Sequence, residues 1–438
     1  MLSSLNGIAR RARSHRDHRF GNLYGELNGP FLAESYGRMN PKAASGIDRV
    51  DYRTYGAKLA ENIHDLVERL KQKRYRARLV RRRNIPKGKG KTRPLGILTM
   101  DDKVVQTGAA RLLSAIWEAD FLDCSHAYRP KRNAHGAIRE LTRGMQIGKY
   151  RYVVEADIKN YFATIQHDWM VKMLELRIKD NAFIRLIQKW LNAKILEEDG
   201  RIIDPATGTP QGGVVSAVLA NIYLHYALDL WFKLHVKPRC RGEAMMIRYA
   251  DDFVCLFQHE ADAQQFYAAL PQRLEKFGLQ IAQEKTRILR FSRFEPDGTS
   301  RFEFLGFEFR WGTSRAGKKI VKRRTAPKRL TKAIAAFTEW IREHRHLRLP
   351  VLMRKLRAKY NGTWNYFGLI GNYGGLRAFY YWTLRILHKW LNRRSQRRSY
   401  TWKQLEAVLR RHRIPLPRIT EKPASRYYTQ LGFQWNWC

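Results

Sequence analysis

Met245-Met246-Ile247-Arg248, Tyr249-Ala250-Asp251-Asp252 and Phe253-Val254-Cys255-Leu256-Phe257 follow one another without a break, and the reading of this chain turns on them. Two apolar runs of strand length flank a polar tip, which is the pattern of a β-hairpin. Adjacent carboxylates at such a tip repel each other unless a cation joins them. A pair of acids in a turn is, by itself, an ordinary solvated loop. A third acid changes that reading. Tyr152-Val153-Val154-Glu155-Ala156-Asp157 is another short apolar strand that ends on a carboxylate, and a split βαβ sheet would lay it beside the hairpin. Three carboxylates on neighbouring strands of a basic chain point to two Mg²⁺ ions and to nucleotidyl transfer, because paired metals drive in-line phosphoryl displacement.

Composition supports a polyanionic partner. The 438 residues include 83 Lys and Arg against 39 Asp and Glu, a formal net charge of +44. Hydrophobic residues make up 44% and aromatics 12%, too apolar for a disordered basic tail. The chain is therefore folded, with a large positive field and length enough for two or three domains. Its cysteines, Cys124, Cys240, Cys255 and Cys438, form no CxxC pair, which excludes a disulfide framework or a zinc site and suits a reducing compartment. The N-terminus lacks the apolar core of a secretory signal. Residues 1–20 are rich in Arg and Ser with Asp17 as their one acid, a composition shared by organellar transit peptides and RNA-contacting arms. The expected location is the bacterial cytoplasm, with action at the nucleoid, and an organellar one stays open. Val214 to Val236 is long enough to suggest a membrane span. Asn221, His225 and Asp229, however, recur at helical spacing and draw one polar stripe, so a core helix without membrane contact is expected.

Outward from the hairpin, the same patterning predicts a helix at 262–277 and a strand pair around 302–311. Upstream it predicts helices at 61–73, 101–147 and 167–177, with short helices through the rest of 1–80. Arg81 to Met100 alternates basic residues with Gly and reads as a second hairpin around Lys87-Gly88-Lys89-Gly90-Lys91. Strands separated by helices, with one tight hairpin, give an α+β fold built on a split βαβ sheet. Residues 311–438 differ in character, with 30 Lys and Arg against 4 Asp and Glu and with 20 aromatics. They read as a separate helical region. Arginines interleaved with aromatics bind structured RNA through phosphate contacts and stacking on unpaired bases.

Six ordered blocks together resemble the group II intron reverse transcriptases, also called maturases. They are Ile85-Pro86-Lys87 through Arg93-Pro94-Leu95-Gly96-Ile97, His126-Ala127-Tyr128-Arg129-Pro130, Val153 to Phe162, Thr209-Pro210-Gln211-Gly212-Gly213, Tyr249 to Asp252, and Phe302 to Phe309. The resemblance implies a right-hand polymerase: an N-terminal extension and first fingers segment at 1–80, fingers and palm at 81–311, a helical thumb at 312–385 and maturase domain X at 386–438. Asp157 and Asp251 would ligate two Mg²⁺ ions with the carbonyl of Ile158, and Asp252 would assist. Lys87 and Arg93 would clamp the incoming triphosphate. Phe162 would lie under the sugar and exclude a 2′-hydroxyl, Gln211 would border the nascent base pair, and Lys285 would protonate the departing pyrophosphate.

Farther on, Asn361-Gly362 to Tyr366-Phe367, Asn372-Tyr373, Tyr380-Tyr381, Lys389 to Gln396 and Thr401-Trp402 are similar to the thumb and domain X of intron maturases. Arg393, Arg394, Arg397 and Arg398 are the candidate RNA contacts. The implied partners are the parent group II intron RNA, an RNA template with a DNA primer, dNTPs and target DNA. Relatives that continue into a zinc-dependent HNH endonuclease carry paired CxxC motifs; none occurs here, so second-strand cleavage by this chain is not expected. Two other readings stay open, a reverse transcriptase domesticated for defence or repair and an RNA-binding splicing factor without polymerase activity. The intact Asp157, Asp251 and Asp252 weigh against the second.

Overall fold

The computed structural model describes residues 2–88, 91–294, 300–314, 316–393 and 399–422. The chain divides into two compact units. One comprises Met1–Asn133, Val154–Cys255 and Ala261–Arg287, and the other Ala134–Val153, Leu256–Glu260 and Ile288–Cys438. The fold is α+β. Its strands are β1 (Val80–Gly88), β2 (Lys91–Ile97), β3 (Tyr152–Asp157), β4 (Ile195–Leu196), β5 (Ile202–Ile203), β6 (Ala244–Tyr249), β7 (Asp252–Phe257), β8 (Arg287–Arg290), β9 (Phe302–Phe304), β10 (Phe307–Thr313) and β11 (Lys319–Thr325).

The sheet order β6-β7-β3-β8 seats the strand ending on Asp157 next to the Asp251 hairpin. This is the order that a split βαβ unit generates. Val153 to Ala156 and Phe253 to Phe257 are buried, which is why these strands read as continuous apolar runs instead of alternating ones. The basic hairpin forms where the sequence placed it. β1 and β2 run antiparallel, with Arg81 opposite Ile97 and Ile85 opposite Arg93. The outer edge of β1 pairs in parallel with β4, giving the order β2-β1-β4-β5.

Two helices, Met100–Trp117 and Ala134–Ile147, occupy the stretch expected to be helical from 101 to 147. The hydroxyl of Thr99 caps the first by accepting from the Asp102 amide, and Asp101 and Asp102 favour its positive end. The loop between the two helices holds His126 to Pro130. The helices expected at 61–73, 167–177 and 262–277 run Leu59–Lys71, His167–Glu175 and Glu260–Glu275. The helix expected across 214–236 is α-helical only over Ser216–Leu224. It widens into π-helical turns at His225–Asp229 and Phe232–Val236. Its polar stripe faces inward: Asn221, His225 and Asp229 are all buried. No helix among the described residues is long and apolar enough to cross a membrane.

In the second unit a three-stranded sheet has the order β11-β10-β9. The strand pair expected around 302–311 is present, and β11 joins it as a third strand. Lys319-Ile320-Val321-Lys322-Arg323-Arg324-Thr325 hides its strand character behind four cations, although Ile320, Val321, Arg323 and Thr325 are buried. Helices Pro327–His344, Leu349–Phe367, Tyr373–Leu391 and Trp402–Arg411 follow. They share a core that includes Phe337, Leu356, Tyr360, Trp364, Phe379 and Leu405. Most of the described aromatics of this basic region are therefore structural. A capping box between Thr401 and Gln404 fixes the start of the last helix.

Candidate active site

The hairpin turn between β6 and β7 consists of Ala250 and Asp251. Ala250 is left-handed, with φ +58°, a conformation that costs a residue with a Cβ roughly 1–2 kcal/mol. Such strain persists only where the surroundings hold it. Asp157 closes β3 on the neighbouring strand. Its carbonyl accepts from the Ala282 amide at 2.8 Å, and the Lys159 amide donates to Gln280 at 2.8 Å, with Ile158 facing Ile281 between them. Backbone groups of successive strand residues alternate sides. The Ile158 carbonyl therefore points away from 280–282, on the side of β3 that faces the hairpin.

Charge gathers at this end of the sheet. Burial pushes the Asp251 carboxyl above its ordinary range, and the negative charge of Asp157 pushes it further, while Arg93 and Lys285 pull it back. Lys285 ends a short 3₁₀ turn, Gln283–Lys285, and its ammonium pairs with Oδ2 of Asp157, a hydrogen bond that raises its own pKa. Asp157, Asp251, Arg93 and Lys285 are thus within electrostatic reach of one another. Asp252 opens β7 and is half-buried. Among the described residues no three of His, Cys, Asp and Glu gather into a metal-binding group. Asp157 and Asp251 stand on neighbouring strands of the sheet and feel each other's charge. That pair, with the Ile158 carbonyl, is an all-oxygen donor set of the kind Mg²⁺ takes. The Lys285 ammonium already lies on Asp157, so that carboxylate faces a cation, and the chemistry of the donor set suits Mg²⁺.

Phe162 is joined by its backbone to Thr209, two residues before Gln211. Tyr161 is fully buried and its hydroxyl donates to the Ala220 carbonyl at 2.5 Å. Its neighbour Phe162 is half-buried, with the two rings 5.5 Å apart. The amides of Gly208 and Thr209 donate to the Ile165 and Phe162 carbonyls at 2.7 and 2.8 Å. On the other side the Gly96 amide, near the end of β2, donates to the Gln211 carbonyl at 2.5 Å. Gly212 has φ +109°, and a Cβ there would lie 2.6 Å from the Gly96 carbonyl oxygen, so only glycine permits this approach. The segment around Gln211 is therefore stitched between the short helix Tyr161–Thr164 and the strand that carries Arg93. Lys87 has its backbone in β1; its side chain lies outside the described part.

Two residues given no role by the sequence reading enter the site. Tyr128 has φ +57° and is half exposed. Burial raises its hydroxyl pKa, as do the nearby Asp251 and Tyr249, and Arg93 lowers it. Arg248, fully buried beneath the turn, pairs with Asp229 at 2.6 Å. The signal for Arg248 was a lone charge at the end of an apolar strand, since a buried charge demands a partner.

Of the candidate RNA contacts, Arg394, Arg397 and Arg398 lie outside the described residues. Arg393 lies over the Trp390 ring at 5.6 Å, and Arg345 and Arg342 lie over the same ring at 4.9 and 5.8 Å. Tyr381 and Trp382 expose about half of their surface on the preceding helix turns.

Residues 85–309 match the family model described as reverse transcriptase (RNA-dependent DNA polymerase). The chain is 32% identical to protein YkfC of Escherichia coli over 312 residues, 62% of this chain and 77% of that one. It is 36% identical to the group II intron-encoded protein LtrA of Lactococcus lactis over 227 residues, 51% of this chain and 37% of LtrA. A 91 kDa protein in a cob intron of Schizosaccharomyces pombe is 33% identical over 228 residues, 51% of this chain and 28% of that protein. The match thus spans well under half of these two intron-encoded relatives.

Proposed function

We propose, from the premise that this chain belongs to the reverse transcriptase family, that it is an RNA-directed DNA polymerase encoded by a group II intron. In this reading it binds its parent intron RNA, assists splicing and copies the RNA into DNA from a target 3′-hydroxyl. The observation that supports it is the sheet order that lays the strand ending on Asp157 beside the Asp251 hairpin, with the Lys285 ammonium on Asp157. Membership of the family supplies the reaction, and the intron-encoded relatives supply the RNA partner.

Asp157, Asp251 and the Ile158 carbonyl would hold Mg²⁺, with Asp252 assisting. Two such ions supply the positive charge that lets a primer 3′-hydroxyl displace pyrophosphate. Arg93 and Lys87 on the basic hairpin hold the triphosphate in line with the primer. Phe162, half-buried beside the docked Gln211 segment, sits under the sugar and rejects a 2′-hydroxyl. Lys285 delivers a proton to the departing pyrophosphate. We assign fingers and palm to 81–311, preceded by the extension at 1–80 and followed by a thumb at 312–385 and domain X at 386–438. The remaining partners of the reading are a primed RNA template with dNTPs, and target DNA during mobility.

The test is a paired assay on the full chain with Mg²⁺: extension of oligo(dT) on poly(rA), and splicing of the transcript of its flanking intron. Both activities are expected. Splicing without extension makes the chain a splicing factor alone, and extension without splicing makes it a domesticated enzyme.

A further inference from the structure

Among the described residues Arg248 is the most deeply buried cation of the first unit, and each N–H of its guanidinium has an acceptor. Nε donates to Oδ1 of Asp229 at 2.7 Å, and Nη2 to Oδ2 of Asp229 at 2.6 Å and to the Ser125 hydroxyl at 2.8 Å. Nη1 donates to Oδ1 of Asn221 at 3.2 Å and to the Ala250 carbonyl at 3.1 Å. Five donors meet five acceptors, the full capacity of the group. Arg248 and Asp229 are both 0% exposed. A buried ion pair of this kind is weak evidence for stability, because well-packed apolar residues of equal volume do as well or better. Its distinctive property is geometric, a rigid fork that fixes several acceptors relative to one another.

The acceptors lie on three elements. Asp229 and Asn221 belong to the helix that widens into a π turn at 225–229, and the widening sets where Asp229 falls on the helix face. Ala250 is the strained residue immediately before Asp251. Ser125 belongs to the loop that carries Tyr128. That loop is also laid along Arg248 by its backbone, the His126 amide donating to the Arg248 carbonyl at 3.0 Å and the Arg248 amide to the Cys124 carbonyl at 2.7 Å. Asn221 completes the circuit by donating to the Ala127 carbonyl at 2.6 Å. Two left-handed residues of the site, Ala250 and Tyr128, are therefore tied to this one hub, Ala250 by its own carbonyl and Tyr128 through its neighbours.

We propose that Arg248, oriented by Asp229, is a positioning residue that holds the Ala250-Asp251 turn in its strained conformation and registers it against the Tyr128 loop. It touches no substrate. It sets where the Asp251 carboxylate stands relative to Asp157, and the inference rests on the polymerase reading only for its kinetic consequence.

Arg248→Lys keeps a cation opposite Asp229 but offers three donors without the fork. The full-length variant is expected to fold and to bind poly(rA)·oligo(dT) in EDTA as the parent does. Its kcat for dTTP incorporation is expected to fall by 30-fold or more while KM changes by less than threefold, with a higher Mg²⁺ midpoint. Amide hydrogen exchange across residues 249–252 is expected to speed up tenfold or more, and exchange in the helix 100–117 to stay unchanged. Parent-like exchange at the turn overturns the proposal, whether or not the parent polymerises, so its failure is distinct from failure of the polymerase reading. Parent-like kcat and Mg²⁺ midpoint in a variant with a loosened turn overturn it as well. If Arg248→Lys does not fold, the pair Arg248→Met with Asp229→Leu replaces the ions by apolar volume, and the same readouts apply. Failure of both variants to fold makes the pair a folding requirement and overturns the positioning role.

Discussion

Arginine does two different jobs in the core of the first unit and in the C-terminal helices. In the first unit arginines turn inward onto carboxylates: Arg129 pairs with Glu118, Arg177 with Asp120 and Arg248 with Asp229, each guanidinium almost wholly buried. In the helices after residue 327 acids are scarce, and Arg345 and Arg393 lie against the Trp390 ring, where Arg342, paired with Glu339 at 3.2 Å on the surface, lies as well. A guanidinium neutralised by a carboxylate has spent its charge on the fold. One stacked on an aromatic face keeps its charge for a partner. The net +44 is therefore unevenly available, and the C-terminal helices hold more of the usable part.

The largest effect that sharpens this contrast is on stability. Arg248→Met alone leaves Asp229 buried and unpaired, which should cost about 3–5 kcal/mol. Replacing Arg342, Arg345 and Arg393 together by Gln should change stability by about 0.5 kcal/mol or less per site. Urea titrations of the two variants measure the difference, and similar losses in both would dissolve the distinction.

A second effect concerns the same buried stripe. His225 lies between Asn221 and Asp229, its Nδ1 has no hydrogen-bond partner, and burial lowers its pKa from 6.5 to about 4. The unfolded chain then takes up the proton first, so the stability this group contributes is complete above pH 6.5 and is lost as pH falls towards 4. The loss amounts to about 3 kcal/mol at 1.36 kcal/mol per pKa unit. His225→Phe should flatten the stability profile between pH 6.5 and 4. An equally steep profile in the variant would place the acid sensitivity elsewhere.

Phe162 gives a smaller, steric effect. Phe162→Ala should lose roughly 1–3 kcal/mol of discrimination against ribonucleotides, about 10–200-fold in relative kcat/KM. Unchanged discrimination would make the ring a packing residue, like its neighbour Tyr161. The smallest effect is electrostatic. The triple Gln variant of Arg342, Arg345 and Arg393 should flatten the log–log salt dependence of RNA binding by about 0.7–0.9 for each phosphate that the protein ceases to neutralise. An unchanged slope would move the RNA surface away from Trp390.

Much of the first unit was legible because its signals are local. Two apolar runs around Asp251-Asp252, and one ending on Asp157, announce strands and acids together. The basic hairpin was legible from Gly and Lys between strand-like ends. What escaped was set by tertiary partners. β11 was hidden because Lys319, Lys322 and Arg324 interrupt its apolar pattern, and its pairing with β10 decides it. The π widening at 225–229 leaves no mark on spacing, so the stripe of Asn221, His225 and Asp229 showed a polar face but not the buried Arg248 that it serves. Tyr128 stood within a recognised block, yet its left-handed backbone depends on the hydrogen bonds of Ala127 and His126 to distant residues.

The central claim is that Asp251 belongs to a polymerisation site separable from the RNA-binding surface. Asp251→Asn keeps the shape of the side chain and removes its charge. Burial and Asp157 hold the Asp251 pKa above its unfolded value, so the ionised carboxylate weakens the fold at neutral pH and ceases to do so as acid protonates it. The variant should therefore be at least as stable as the parent at pH 7, with the difference shrinking as pH falls through the raised pKa. Extension of oligo(dT) on poly(rA) should vanish, while splicing of the flanking intron transcript continues at the parent rate. Extension near the parent rate, or loss of splicing in the folded variant, would contradict the account.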